Sequence, residues 1–216
     1  MSERDRPDGV QPVGARFVDE LGFGFGWISP KPRFMQRCSH ALCVGGKVWL
    51  IDPVLDDGVL ERVRGLGEPA GVVQLLDRHG RDCARVASLL GVPHLDVPDV
   101  APAGAAFEVL PVLRRRRWHE VALWLPEQRT LVCAEAVGTA QYYRAPSERL
   151  GVHPLLRLTP PRALLAVEPA HILVGHGEGV HEDAPAALRD AVEHARRRTP
   201  AWLWAGLRAH GPLRRR

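Results

Sequence analysis

The sequence contains no long apolar run, and no stretch approaches the roughly 20 residues that a membrane-spanning helix requires. Residues 1–14 are charged and rich in proline and glycine, so they lack the apolar centre of a secretion signal. We therefore predict a disordered N-terminal segment over residues 1–14 and a cytoplasmic protein without a membrane partner.

The sequence also lacks closely spaced C-x-x-C cysteine pairs and has few lysines. None of the four cysteines forms a C-x-x-C pair, and this argues against a disulfide framework. The formal net charge of +4 comes almost entirely from arginine, because Lys31 and Lys47 are the only lysines. The arginine clusters at 114–117, 196–198 and 214–216 are scattered along the chain, so we predict solvated surfaces and no nucleic-acid partner.

The hydrophobic pattern predicts alternating strands and helices in one α+β domain over residues 15–200. Continuous apolar runs at 70–76 and 171–175 are typical of strands buried on both faces. The segment 119–137 is predicted to be a hairpin, and 142–167 a helical region punctuated by prolines. An amphipathic helix over 184–198 is predicted with these residues facing inward: Leu188, Ala191, Val192 and Ala195.

A tail rich in tryptophan and arginine follows at 201–216. We expect it either to dock on the domain through Trp202 and Trp204 or to pair with a second copy in a homodimer.

The segment DRHGRDC at 77–83 places polar, small and ionisable residues between a buried strand and a helix. Open α/β sheets commonly place their chemistry at such junctions. Asp52, which ends the strand VWLIDP, is expected to brace this loop by hydrogen bonds.

Four segments in this order resemble the metallo-β-lactamase superfamily: VWLIDP (48–53), DRHGRDC (77–83), ALWLPEQRTLVCAEAVG (122–138) and ILVGHGEGV (172–180). The resemblance runs from about residue 37 to about residue 195. It implies an αββα four-layer sandwich, with two mixed sheets flanked by helices, and a hydrolase or oxidoreductase ancestry.

The chain departs from the family's T-H-x-H-x-D-H motif. Aligned without gaps, Arg78 and Gly80 stand where the family has its first two histidines, and neither can ligate a cation. The resemblance therefore implies that the first of the family's two metal sites is lost.

The second metal site is implied in altered form by Asp82, Cys83, Glu135 and His176, of which only His176 matches its family residue outright. Carboxylate, thiolate and imidazole together can bind zinc. We expect a single zinc or iron ion there, or no ion, with Arg78 supplying positive charge in place of the lost metal by pairing with Asp82 or Glu135.

Two histidines, His79 and His176, are candidate catalytic bases, although His79 could equally point away from the pocket. The candidate substrate-binding residues are Arg78, Arg81, His40 and His119. Cys83 is either a reactive thiol at a helix start or an inert buried residue. The sequence thus predicts a divergent hydrolase acting on a small anionic molecule, or alternatively a metal-free ligand-binding or regulatory module.

Overall fold

The structure, a computed structural model, describes residues 14–30 and 35–210, so all but the last residue of the segment predicted to be disordered lies outside it. Over these residues the first sheet has six strands in chain order. They are β1 (Arg16–Leu21), β2 (Gly24–Ile28), β3 (Cys38–Val44), β4 (Lys47–Ile51), β5 (Pro69–Gln74) and β6 (His94–Asp96). The pairs from β1 to β4 are antiparallel, whereas β4, β5 and β6 are parallel, so the sheet is mixed.

The second sheet is also mixed. The later strands are β7 (Glu108–Arg115), β8 (Trp118–Leu125), β9 (Thr130–Cys133), β10 (Val137–Gly138), β11 (Gly151–Val152) and β12 (His171–Val174). The sheet has the order β12-β9-β8-β7, with β12 parallel to β9 and the other pairs antiparallel. Strands β10 and β11 form a separate short antiparallel pair.

Strand β4 shows how the layers are built, because successive side chains of a strand point to opposite faces. Val48 and Leu50 join a buried cluster with residues of α1 (Asp57–Leu66) and α2 (Cys83–Leu90). Trp49 and Ile51 face the other way, into the core shared with the second sheet. Helices thus cover the first sheet on one side, and the second sheet covers it on the other.

Helix α3 (Ala184–His210) completes the fourth layer. The four residues predicted to face inward are all buried in the core of the second sheet: Leu188, Ala191, Val192 and Ala195. Their helical spacing gives one apolar stripe along α3. The predicted αββα four-layer sandwich is confirmed.

The C-terminal boundary predicted at residue 200 falls inside α3, which continues through Pro200. Trp202 docks on the domain, since its Nε1 donates a hydrogen bond to the Tyr142 carbonyl at 2.8 Å. Trp204 is exposed, and pairing of two copies through it stays a prediction. Within the described part of the chain, no helix has the length and apolarity needed to span a membrane.

The region 142–167, predicted to be helical, is instead irregular: it holds β11 and two short 3-10 helices, Pro154–Leu156 and Arg162–Ala166. Prolines at 146, 154, 160 and 161 remove the backbone donors that a continuous helix needs. The region is held by a fully buried ion pair, in which Arg157 donates to Glu148 at 2.5 and 3.2 Å. The same guanidinium donates to the carbonyls of Tyr143 and Ala195, which ties the region to α3.

We predict that Arg157→Ala lowers the free energy of unfolding by about 3–5 kcal/mol, because it leaves the buried Glu148 carboxylate with only the more distant Arg198 guanidinium, 4.0 Å away. Denaturant unfolding measures the effect. The matched control is Arg189→Ala, which removes an exposed ion pair with Glu168 and is expected to cost less than about 1 kcal/mol. Equal losses in the two variants would contradict the stabilising role of Arg157.

Candidate functional site

Three loops bring one acceptor atom each to a common point. His79 lies between β5 and α2, Glu135 follows β9, and His176 follows β12. His79 Nε2 lies 3.3 Å from both Glu135 Oε1 and His176 Nε2, and the last two atoms are 3.7 Å apart. Both imidazole rings are buried, and the Glu135 side chain is 14 % exposed. We call these three residues the His79 cluster.

Asp52 fixes the orientation of His79. It follows β4 with φ 44, and its carboxylate is buried. Asp52 Oδ1 accepts the Leu75 amide hydrogen at 2.9 Å, and Oδ2 lies 2.8 Å from His79 Nδ1. The carboxylate thus holds the Nδ1–H tautomer and aims Nε2 at the cluster. This is the bracing role expected of Asp52.

His176 is oriented in the same way, by a backbone carbonyl. Its Nδ1 lies 2.9 Å from the Met35 carbonyl oxygen, an acceptor that requires the hydrogen on Nδ1. The ring also stacks on Tyr143, with centroids 5.5 Å apart. Gly177 is required beside it, since its φ is +100 and a Cβ there would lie 2.2 Å from Thr139 Oγ1.

Two side chains hold Glu135: Glu120 binds its backbone and Arg78 binds its carboxylate. Glu120 Oε1 accepts the backbone hydrogens of Glu135 and Ala136 at 2.9 and 2.8 Å, which fixes the loop. Arg78 Nη2 donates to Glu135 Oε2 at 2.8 Å, and its guanidinium lies 4.1 Å from the Trp118 ring centre. One carboxylate oxygen is therefore occupied by arginine, and the other faces the two histidines. The pairing of Arg78 with Glu135 is one of the two that we expected.

The electrostatics of the cluster require a cation. With both Nδ1 atoms carrying hydrogen, two Nε2 lone pairs and a carboxylate oxygen face one another without a donor. The metal-free protein supplies one proton. Burial lowers the pKa of His79, but the carboxylates of Asp52 and Glu135 outweigh it and leave this pKa raised. Burial leaves the pKa of His176 lowered, so His79 is the more basic of the two imidazoles.

A metal ion fits the same position. Zinc bound tetrahedrally at about 2.0–2.2 Å holds its donor atoms roughly 3.3–3.6 Å apart. The three distances in the His79 cluster are 3.3, 3.3 and 3.7 Å. The donor set of two imidazoles and one carboxylate is also one that zinc and iron accept. The chain's own residues therefore suit a single divalent ion.

The structure does not bring two of the expected metal ligands into the cluster. Asp82 Oδ2 accepts the Leu55 amide hydrogen at 2.8 Å, and Cys83 is completely buried among apolar residues of α1 and α2. Burial also raises the pKa of the Cys83 thiol, so Cys83 fits the inert buried residue of the two alternatives and not the reactive thiol. Glu135 and His176 are therefore joined by His79 and not by Asp82 and Cys83, because α2 begins at Cys83 and turns that side chain into the core.

Three of the four expected substrate-binding residues also lie elsewhere. The Arg81 guanidinium donates to the carbonyls of Cys38, Asp52 and Gly175, so its donors are used to hold the loops together. His40 lies in a separate cluster beside Asp19. His119 pairs with Arg114 across β7 and β8, and its backbone amide donates to Asp77. Arg78 alone borders the His79 cluster with a half-exposed guanidinium.

Two residues of the site were not expected from the sequence. Glu120 stands in the apolar strand WHEVALWL, and a buried glutamate in such a strand signals an internal role. His153 Nε2 lies 4.0 Å from Glu135 Oε2, and burial lowers the pKa of His153 to about 4, so the ring is neutral. Nothing in the sequence around His153 distinguishes it.

Comparison with protein-family models finds no match, and no curated protein matches the chain. Solved structures do match it. DIM-1 metallo-β-lactamase exposed to ceftazidime is 13 % identical, with 85 % of this chain and 97 % of that chain covered and a TM-score of 0.56. TMB-1 is 12 % identical, with 84 % and 98 % covered and a TM-score of 0.58. A metallo-β-lactamase from Pontibacter korlensis is 13 % identical, with 84 % and 99 % covered and a TM-score of 0.63.

These matches confirm the predicted fold: the chain has the metallo-β-lactamase fold. Identities of 12–13 % show the fold alone, so the chemistry has to be argued from the residues.

For the metal-free protein we predict that NMR titration gives His79 a pKa above the usual value of about 6.5 and His176 a pKa below it. Asp52→Asn lowers the pKa of His79, because it removes the carboxylate on Nδ1. Because the pKa of His79 is raised in the folded state, protonated His79 stabilises the protein fully below about pH 6.5. This contribution is lost as the pH rises through the folded-state pKa. The control Asp99→Asn neutralises an exposed carboxylate that pairs with Arg114, and it is expected to leave the His79 pKa unchanged. An unchanged His79 pKa in Asp52→Asn would contradict the assignment.

Proposed function

We propose that this chain is a hydrolase that binds one divalent metal ion, zinc or iron, in the His79 cluster and acts on a small anionic substrate. One observation carries the proposal: two imidazole nitrogens, each oriented by an acceptor on its ring's Nδ1, converge with a carboxylate oxygen at 3.3–3.7 Å. A metal ion bound there would act as a Lewis acid and lower the pKa of bound water towards neutrality.

The chain's own residues divide the remaining work. Asp52 and the Met35 carbonyl orient the two imidazoles before any ion arrives, so binding costs little rearrangement. Arg78 neutralises Glu135 Oε2 and keeps about two fifths of its side chain exposed (43 %). An exposed guanidinium that is held over Trp118 offers N–H donors to a carboxylate or phosphate group of a substrate.

β-Lactam hydrolysis is not part of the proposal. Aligned without gaps, the resemblance puts Arg78 and Gly80 where family members have their first-site histidines, and this argues against a second metal ion beside the His79 cluster. Arg78 brings a fixed positive charge to that side of the cluster, and a fixed charge favours an anionic substrate and disfavours a second cation.

The proposal predicts that metal-loaded protein, purified without a histidine tag, loses one equivalent of metal when His176 is changed to Ala or Glu135 to Gln. Elemental analysis measures the loss. The matched control is His194→Ala. His194 lies on α3, outside the His79 cluster, and pairs with Asp190, so this variant is expected to keep the full metal content. Wild-type protein that holds no metal at the cluster would favour the alternative, a metal-free ligand-binding module.

Activity is tested with a panel of chromogenic esters that differ in charge. We expect turnover of anionic esters, lost in His176→Ala and reduced about tenfold or more in kcat/KM in Arg78→Ala, with part restored in Arg78→Lys because the charge returns. Neutral esters of the same shape should show little effect of Arg78→Ala. Metal bound at the cluster without turnover of any ester would remove the hydrolase assignment and leave a metal-binding module.

A further inference from the structure

A second group of ligand-type side chains lies outside the His79 cluster. Cys38 Sγ is 3.6 Å from His40 Nε2, and His40 Nε2 is 3.4 Å from Asp19 Oδ2. All three ligand atoms lie within 4.8 Å of one another, and the three side chains are buried. We call these residues the Cys38 cluster.

From this cluster we infer a second metal site, held by Asp19, Cys38 and His40, that takes zinc or a similar thiophilic divalent ion. The inference goes beyond the proposed function and does not depend on it. The site serves to fasten the β1–β2 hairpin to the rest of the first sheet.

The distances fit a tetrahedral ion. With zinc–sulfur bonds of about 2.3 Å and zinc–nitrogen bonds of about 2.0–2.1 Å, sulfur and nitrogen donors lie roughly 3.5–3.6 Å apart. The observed separation of Cys38 Sγ and His40 Nε2 is 3.6 Å. A nitrogen and an oxygen donor are expected about 3.3–3.5 Å apart, against 3.4 Å for His40 and Asp19.

The contacts distinguish a metal site from a catalytic triad. In a triad the carboxylate binds one ring nitrogen and the nucleophile binds the other. Here the same atom, His40 Nε2, faces both Cys38 Sγ and Asp19 Oδ2. A single metal ion at this point would be shared by all three donor atoms. Cys38 is also completely buried, which excludes it as a nucleophile for an external substrate.

Asp19 is oriented for this purpose by its other oxygen. Asp19 Oδ1 accepts the Gly179 amide hydrogen at 2.8 Å and lies 3.0 Å from His181 Nε2, so Oδ2 is left to face His40.

The backbone around the cluster is built to bring the ligands together. Gly26 on β2 lies between β1 and β3, and a Cβ there would lie 3.0 Å from His40 Cδ2 and 3.1 Å from Asp19 Oδ2. Asp19 itself has φ 52, a left-handed conformation that non-glycine residues rarely adopt. The glycine lets side chains from two non-adjacent strands meet across the strand between them.

Cobalt substitution of the full chain tests the inference, because a cobalt–thiolate bond gives a charge-transfer band in the near ultraviolet. The His79 cluster contains no thiolate and cannot produce this band. We expect the band in wild type and in the control Cys43→Ser, whose cysteine lies on the same strand, β3, but on the opposite face. We expect Cys38→Ser to lose the band and one equivalent of metal.

His176→Ala should keep the thiolate band, so failure of the proposed function and failure of this inference are distinguishable. Should Cys38→Ser not fold, X-ray absorption of zinc-loaded wild-type protein decides, with one zinc–sulfur distance of about 2.3 Å expected. Cobalt- or zinc-loaded wild type without any metal–sulfur signature would overturn the inference and leave a hydrogen-bonded network of Asp19, His40 and His181.

Discussion

The hydrogen bond between Asp52 Oδ2 and His79 Nδ1, 2.8 Å long and buried, is the contact on which the site depends. It joins the end of β4 to the loop after β5, and it decides which nitrogen of His79 faces the cluster. Asp52 also braces the strands themselves, through the Leu75 amide and through its own carbonyl, which accepts from Ser39 and Arg81. Without this carboxylate, the His79 ring would lose the acceptor that holds its Nδ1–H tautomer and aims Nε2 at the cluster.

The fold supplies the rest of the convergence. Strands β9 and β12 are parallel, so their carboxyl ends reach one edge of the second sheet together and deliver Glu135 and His176 to the same place. Glu120 fixes the loop of Glu135, and Gly177 permits the close turn at His176. A cluster of acceptors assembled with this much support requires a positive charge, and Arg78 neutralises only one of its oxygens. The structure thus explains why a metal or a proton has to occupy the centre.

The apolar pattern predicted alternating strands and helices, and the family resemblance predicted the four layers and a site shared by the loop at 77–83, Glu135 and His176. Sequence reasoning did not identify His79 as a member of the cluster ahead of Asp82 and Cys83. A gapless alignment assumes the family's loop geometry, whereas Arg81 here has φ 37 and turns the chain into α2. The direction of a side chain in such a loop depends on tertiary contacts, here those of Arg81 with three carbonyls. The spacing of apolar residues in the sequence does not predict such contacts.

The most direct test of the central claim is a crystal structure of zinc-soaked protein with anomalous data collected on both sides of the zinc absorption edge. The account predicts an anomalous peak at about 2.0–2.2 Å from His79 Nε2, His176 Nε2 and Glu135 Oε1. A structure that carries zinc elsewhere, but shows no peak at the His79 cluster and keeps the three acceptors at hydrogen-bonding distance, would contradict it.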